Sequence, residues 1–279
     1  MPDSPSRKTD PDLTGVKTVN LFSVSSVTLN LSSSAQPFPS GFRCLDLVMA
    51  LFVAILITSN VASSAKIVDL GVSLFGFWDI PKVALAFDGG TLLFPLSYIF
   101  GDILTEVYGF RASRRVIWTG FGALALSSLI FFLLRVLPGE TVWESYAGSA
   151  AYDAILGGMS TGGIALASLL AYLVGEFANS MSLSRMKVLM KGKLLWVRTV
   201  GSTLLGELFD SFIFVLVASL TGVFGWELFA GLVLTNYLFK CGIEILMTPL
   251  TYLAVKRLKK IEQTDIYDIG LHLNPFTRG

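Results

Sequence analysis

Apolar residues arrive in runs of about twenty, separated by short polar segments, from Leu45 to Val255. A run of that length matches the hydrocarbon thickness of a bilayer when it is wound as a helix. Six runs are present: Leu45–Ala65, Thr91–Tyr108, Val116–Leu134, Gly162–Met181, Thr199–Leu220 and Leu228–Val255. The last has length to spare for a tilt or a bend at Pro249. None alternates polar and apolar residues, as a strand of a membrane barrel would. The pattern predicts an all-α membrane protein, a six-transmembrane-helix bundle occupying residues 43–256. Residues 1–42 are rich in Ser, Thr and Pro and hold no sustained apolar core. They read as a disordered cytoplasmic tail, or as sequence upstream of a later start codon, and not as a signal peptide. Residues 257–279 read as a second cytoplasmic tail.

Two connections carry more than linker sequence. Between Lys66 and Gly90, Val83–Phe87 is too short to span, which predicts a re-entrant or interfacial segment with Trp78 at headgroup depth. Between Arg135 and Thr161, Trp143, Tyr146 and Tyr152 with three acids predict an outer rim. Charge supplies the orientation. Arg111, Arg114 and Arg115 follow the second run, Arg185, Lys187, Lys191, Lys193 and Arg198 follow the fourth, and Lys256, Arg257, Lys259 and Lys260 follow the sixth. The opposite connections hold few bases, so both termini are predicted on the cytoplasmic side. On this reading the basic loops are topology signals and nothing more. Composition agrees with a membrane chain: 53% of the residues are hydrophobic, 15% are charged and the mean hydropathy is +0.68. The net charge of +1 gives no field that would draw nucleic acid. Cys44 and Cys241 form no disulfide or metal pattern, and His272 reads as a solvated tail residue.

The polar residues inside the runs change the picture from bundle to site. Asp102, Glu106, Glu176, Glu207, Asp210 and Glu244 are acids at bilayer depth, and Lys240 is the base among them. At about 3 kcal/mol each, six acids facing lipid would cost on the order of 18 kcal/mol. A domain is stable by only about 5–15 kcal/mol. They are therefore expected to face one another or a wet cavity. Three runs repeat a glycine, an acid beside it and polar residues beyond: Gly101-Asp102 with Thr105 and Glu106, Gly175-Glu176 with Asn179 and Ser180, and Gly206-Glu207 with Asp210 and Ser211. The glycine lets a neighbouring helix come close. From the basic helix ends, Asp102, Glu176 and Glu207 lie at roughly 9, 8 and 12 Å, so they can meet at one level. The sixth run adds Asn236, Lys240 and Glu244 on one face, and the first adds Asn60.

Carboxylates in a cavity can bind a metal, move protons or grip a ligand with donor groups. No histidine or thiolate cluster supports a transition metal, leaving Mg²⁺ or Ca²⁺ as the metals such a group could take. No cofactor is implied. No nucleophile–base arrangement or phosphate-binding loop supports an enzyme or an ATP-driven pump. A small secondary transporter with a polar midplane site is the class that fits.

The stretch Phe94-Pro-Leu-Ser-Tyr-Ile-Phe-Gly-Asp-Ile-Leu-Thr-Glu-Val-Tyr-Gly109 resembles the signature of the queuosine-precursor transporter family, also called the vitamin uptake transporter family. So do Ser59-Asn60 with Lys66-Ile67, Gly206-Glu-Leu-Phe-Asp210, Asn236-Tyr-Leu-Phe-Lys240 with Glu244 and Pro249, and the tail segments Asp265–Asp268 and Asn274–Phe276. Met1–Ser40 lies outside the resemblance. The resemblance implies a bacterial inner-membrane importer of deazaguanine bases, the nitrile and aminomethyl precursors of queuosine, with no nucleic-acid partner. A homo-oligomer stays open. The substrate-binding residues expected are Asn60, Asp102, Glu106, Glu176, Asn179, Glu207, Asp210, Asn236, Lys240 and Glu244. A carboxylate could accept from the guanine edge, and Tyr98, Tyr172 or Tyr237 could stack on the ring. Glu106 or Asp210 could carry a proton, with facilitated diffusion as the alternative. A second reading is the substrate-binding membrane subunit of an energy-coupled vitamin importer, with small residues at Ala62–Ala65 as its partner surface.

Overall fold

The computed structural model describes residues 42–74, 83–271 and 273–276. The chain separates into two units, Met1–Ser40 and Gly41–Gly279. Phe42 onward, in the second unit, is described below; the predicted N-terminal tail, Trp78 and His272 lie outside the described residues. In order come α1 (Leu45–Ala65), a hairpin of β1 (Ile67–Leu74) and β2 (Val83–Asp88), and α2 (Phe94–Val136). Then follow α3 (Thr141–Tyr146), α4 (Gly148–Ser160), α5 (Gly162–Leu189), α6 (Leu195–Leu220) and α7 (Phe229–Glu262).

Five stretches are helical, long and apolar enough to cross a membrane: Leu45–Ala65, Leu96–Val136, Gly148–Leu189, Leu195–Leu220 and Phe229–Glu262. The chain is thus a helical membrane protein with five candidate spans, where six separate runs were expected. The second and third runs are joined in α2, with no loop at 109–115. Gly109 interrupts it with φ 79° and ψ 169°, a conformation open to glycine and strained for any side chain. The interruption is a reversal. Thr105 and Ser113 would stand roughly 12 Å apart along an unbroken helix, yet their hydroxyl oxygens are 3.0 Å apart and both reach Ser180 of α5, at 2.7 and 2.6 Å. Away from Gly109 both arms run the same way along α5. A Cβ on Gly101 would stand 2.9 Å from Glu176, and the Ile117 carbonyl accepts from Tyr172 at 3.1 Å.

The connection after α1 also departs from expectation. In place of a re-entrant segment it forms an antiparallel two-stranded hairpin, pairing Ile67 with Asp88 and Leu74 with Val83. The strands satisfy each other's backbone groups, which the lone apolar stretch could not do in lipid. The predicted rim between Arg135 and Thr161 is helical, as α3 and α4, and Gly158 N–H donates to Ser64 of α1 at 2.9 Å.

The residue distribution is inverted relative to a water-soluble core. Leu129, Phe132 and Leu133 of α2, Leu208 and Phe212 of α6, and Leu238, Leu246 and Leu253 of α7 are exposed, whereas Asp102, Glu106, Asn179, Ser202 and Glu207 are buried. An apolar exterior is the surface a bilayer requires. An apolar cluster of Phe52, Leu56, Val107, Phe110, Ile117, Tyr172 and Phe177 ties α1, α2 and α5 together. α5 and α6 touch backbone to backbone: a Cβ on Gly206 would lie 3.0 Å from the Gly175 carbonyl oxygen and 2.9 Å from Asn179 Cβ.

Gly109→Ala adds a Cβ at positive φ and within 2.8 Å of Ile266 Cγ2. It should destabilise the purified protein by about 1–2 kcal/mol and lower its thermal midpoint in detergent. An unchanged midpoint would show that the reversal does not depend on glycine.

Candidate functional site

Two polar layers are stacked along the inner faces of the bundle. The upper layer contains most of the predicted site residues. On α5 the spacing Glu176, Asn179/Ser180, Leu183/Ser184, Lys187 keeps one face buried over three turns. On α6, Ser202/Thr203, Gly206/Glu207 and Asp210/Ser211 do the same. These faces meet the first arm of α2, where Asn179 Nδ2 donates to Asp102 Oδ1 at 3.0 Å. Lys240 of α7 reaches across to α6, forming an ion pair with Asp210 and lying 3.6 Å from Glu207 Oε2. Tyr98, one turn above Asp102, is buried and hydrogen-bonds Glu207. Glu244, one turn beyond Lys240 on α7, is buried within electrostatic range of Asp102, Glu176 and Glu207.

Several acceptors in this layer have nothing to accept from. Asp102 Oδ2, Glu176 Oε2, Asn179 Oδ1, Glu207 Oε2 and Glu244 Oε2 are buried without a hydrogen-bond partner. Buried polar atoms are normally satisfied, and each orphan carries a desolvation cost of about 1–3 kcal/mol. Five orphaned acceptors from four helices make a site short of donors. A guest rich in N–H groups would supply them. Among the described residues no group of His, Cys, Asp and Glu side chains has the arrangement of a metal site.

Three expected members stand apart. Asn60 donates to the Leu56 carbonyl in its own helix at 2.8 Å. Asn236 is half-buried a turn before Lys240, without a hydrogen bond to the acids. Glu106 is the largest departure. One turn below Asp102, its Oε1 accepts from Arg198 Nη2 at 2.7 Å and from Lys259 Nζ at 2.6 Å, with Lys187 Nζ at 3.8 Å. Lys187 also donates to the Glu106 carbonyl at 2.6 Å. These contacts form the lower layer and take Glu106 out of the donor-poor site. Three of the basic residues predicted to be topology signals are here structural: Lys187 and Arg198, almost wholly buried, and Lys259 tie α5, α6 and α7 to one carboxylate. The signal was legible for Lys187, which continues the buried face of α5 eleven residues after Glu176.

The C-terminal segment closes this layer from below. Asp265 pairs with Lys187 at 2.6 Å and Lys259 at 2.8 Å. Asp268 accepts from Ser184 at 2.7 Å and from the Phe110 N–H at 2.9 Å. Phe110 opens the second arm of α2, so Asp268 caps that arm from a distant part of the chain and sets a carboxylate at its positive end. Trp118 Nε1 and Arg114 donate to the carbonyls of Pro275 and Asn274. The predicted free tail is therefore a docked strap, and α7 extends to Glu262, whose carboxylate receives the Arg43 and Cys44 N–H groups at 2.9 and 2.7 Å.

Residues 88–254 match the family described as "Putative vitamin uptake transporter". The match spans more than half the chain, contains both arms of α2 and runs past Glu244 of α7. The chain belongs to the vitamin uptake transporter family. It is a family of transporters, not enzymes. The chain is 30% identical to the "Probable queuosine precursor transporter" of Bacillus subtilis (strain 168) over 176 residues, covering 63% of this chain and 74% of that protein. It is 24% identical to the "Queuosine precursor transporter" of Escherichia coli (strain K12) over 222 residues, covering 78% and 86%. With the "Probable queuosine precursor transporter" of Haemophilus influenzae the identity is 27% over 160 residues, covering 57% and 63%. No solved structure matches the chain. All the upper-layer acids, Lys240 and Glu106 lie inside the family match; Asn60 and the strap lie outside it.

Removing one partner from a buried ion network typically costs about 3–5 kcal/mol. Glu106→Ala leaves Arg198 without its carboxylate and Lys187 and Lys259 with Asp265 alone, and should lower the thermal midpoint sharply; a loss under 1 kcal/mol would mean that the network is not structural. The strap should also respond to acid. Burial raises the Asp265 pKa, but the hydrogen bonds from Lys187 and Lys259 outweigh it and hold the carboxyl below its usual value of 3.8. Its contribution to docking is thus complete above that value and is lost as pH falls through the depressed one. Hydrogen-exchange protection over residues 263–271, taken relative to the intrinsic rate at each pH, should be high at pH 6 and fall once the pH drops below the usual value of 3.8; unchanged protection would exclude Asp265 as the tie.

Proposed function

We propose that this chain imports deazaguanine precursors of queuosine across a bacterial inner membrane, as a secondary transporter or facilitator. The observation that carries the reading is the set of orphaned acceptors gathered from α2, α5, α6 and α7 at one level of an inverted bundle. A guanine-type edge offers a ring N–H and an amino group side by side, a match for one carboxylate accepting in bidentate fashion. Asp102 or Glu207 takes this edge, Lys240 donates to the ring carbonyl, and Tyr98 presents an aromatic face. The names of the relatives support the same substrate class.

In this reading the two arms of α2 are separate crossings, giving six in all, and the Lys- and Arg-rich end faces the cytoplasm with both termini. The Glu106 network and the strap then close the cytoplasmic side beneath the bound ligand. Delivery requires that closure to open. Because Asp102 and Glu106 sit one turn apart on the same arm, occupancy of the upper layer and opening of the lower one are mechanically linked.

Proteoliposomes containing this chain alone test the proposal. Uptake of a labelled deazaguanine precursor is expected without any ATPase partner, and Asp102→Asn and Glu207→Gln should each slow it at least tenfold, the loss of about 1.4 kcal/mol of binding. Normal uptake by both variants overturns the site. Binding without uptake in the absence of a partner chain would point instead to the substrate-binding subunit of an energy-coupled importer.

A further inference from the structure

Charge within the upper layer is unevenly matched. Five carboxyl groups, from Asp102, Glu176, Glu207, Asp210 and Glu244, share that layer with one ammonium group. Lys240 is engaged by Asp210 and Glu207, both on α6. Asp102, Glu176 and Glu244 remain, and among the described residues none has a cation within ion-pair distance. The three interact electrostatically: Glu244 lies within range of Asp102 and Glu176, and Glu176 of Asp102. Each keeps an oxygen that is buried and accepts no hydrogen bond. Beside them Asn179 is fully buried and donates to Asp102, while its own carbonyl oxygen also lacks a donor.

Such a trio is unfavourable by itself, because buried carboxylates stay charged only with a cation close by. The cation missing from the protein can come with the ligand. We infer that Asp102, Glu176 and Glu244, with the Asn179 carbonyl, form a subsite for a protonated primary amine, so that the carrier favours aminomethyl-bearing deazaguanines over nitrile-bearing ones. An alkylammonium has three N–H donors and one positive charge, so it supplies three of the orphaned acceptors and offsets one of the three unmatched carboxylate charges. A nitrile supplies neither donor nor charge and leaves those oxygens unsatisfied. Lys240, held on α6, stays in the ring-binding half of the layer beside Glu207 and Tyr98. The inference rests on the proposed substrate class.

The test compares two ligands that differ in this substituent alone, the aminomethyl and nitrile 7-deazaguanines, in equilibrium binding to the purified full-length protein. The aminomethyl form should bind at least tenfold more tightly. Glu244→Gln should collapse the affinity ratio toward one, and Glu244→Asp, which keeps the charge, should retain a preference. Equal affinity of the intact protein for both ligands, or a ratio unmoved by Glu244→Gln in a folded variant, overturns the amine subsite while leaving deazaguanine binding in place. Failure of both ligands to bind would instead remove the substrate class on which the subsite rests.

Discussion

A carboxylate wholly withdrawn from water stays charged only where cations replace its hydration, and Glu106 is supplied with three. Lys187 comes from the end of α5, Arg198 from the start of α6 and Lys259 from the last turns of α7. These are helix ends that sequence alone leaves unconnected. Their convergence fixes the positions of α2, α5, α6 and α7 at one side of the bundle. The three cations would repel one another without that carboxylate, so the contact is reciprocal: each party needs the other to be buried. Asp265 joins from the strap and adds a second anion between Lys187 and Lys259.

The upper layer follows from this anchoring. With α5 and α6 fixed at their basic ends, the glycines roughly two to three turns above allow them to touch. Gly175 and Gly206 face each other, and a Cβ on either would fall 2.9 Å from the Cβ of Asp210 or Asn179. Close approach brings Glu176 and Asn179 of one helix beside Glu207 and Asp210 of the other, and the first arm of α2 adds Asp102. One layer is therefore rich in cations and ion-paired, although Glu106 Oε2 and Arg198 Nε lack a hydrogen bond, and the next is rich in acceptors with a single cation. On α2, where Asp102 and Glu106 carry them, the two layers are a single helical turn apart, about 5.4 Å. The ion-paired lower layer supplies rigidity, and the donor-poor upper layer supplies the tendency to bind.

The reversal at Gly109 lets one segment serve both layers. A straight helix would carry Ser113 away from Thr105, whereas here both hydroxyls meet Ser180. The second arm begins with a backbone N–H that no preceding turn can satisfy, and Asp268 accepts it. The terminal strap thus completes a helix that starts some 158 residues earlier in the chain. Ile266 lies where a side chain at position 109 would have to go, so glycine is required there by both φ and space.

The sequence by itself determined the helical membrane class, the inward face of each polar run and the family, because lipid leaves buried polar residues no other place and glycine-acid pairs mark where helices can touch. Asp102, Glu176, Asn179, Glu207, Asp210, Lys240 and Glu244 were legible for that reason. Only the tertiary structure decided that Glu106 parts company with Asp102, since periodicity places both on one face and says nothing of what stands opposite each turn. Hydropathy likewise could not show that Lys187 and Arg198 are buried, as bases beside a span look the same whether they meet water or a carboxylate. Nor could it foresee that the connection after α1 pairs as strands or that the tail caps α2, because both depend on which segments meet in space. Local pattern fixes which residues must be hidden from lipid; the pairing among hidden groups is settled by three-dimensional packing.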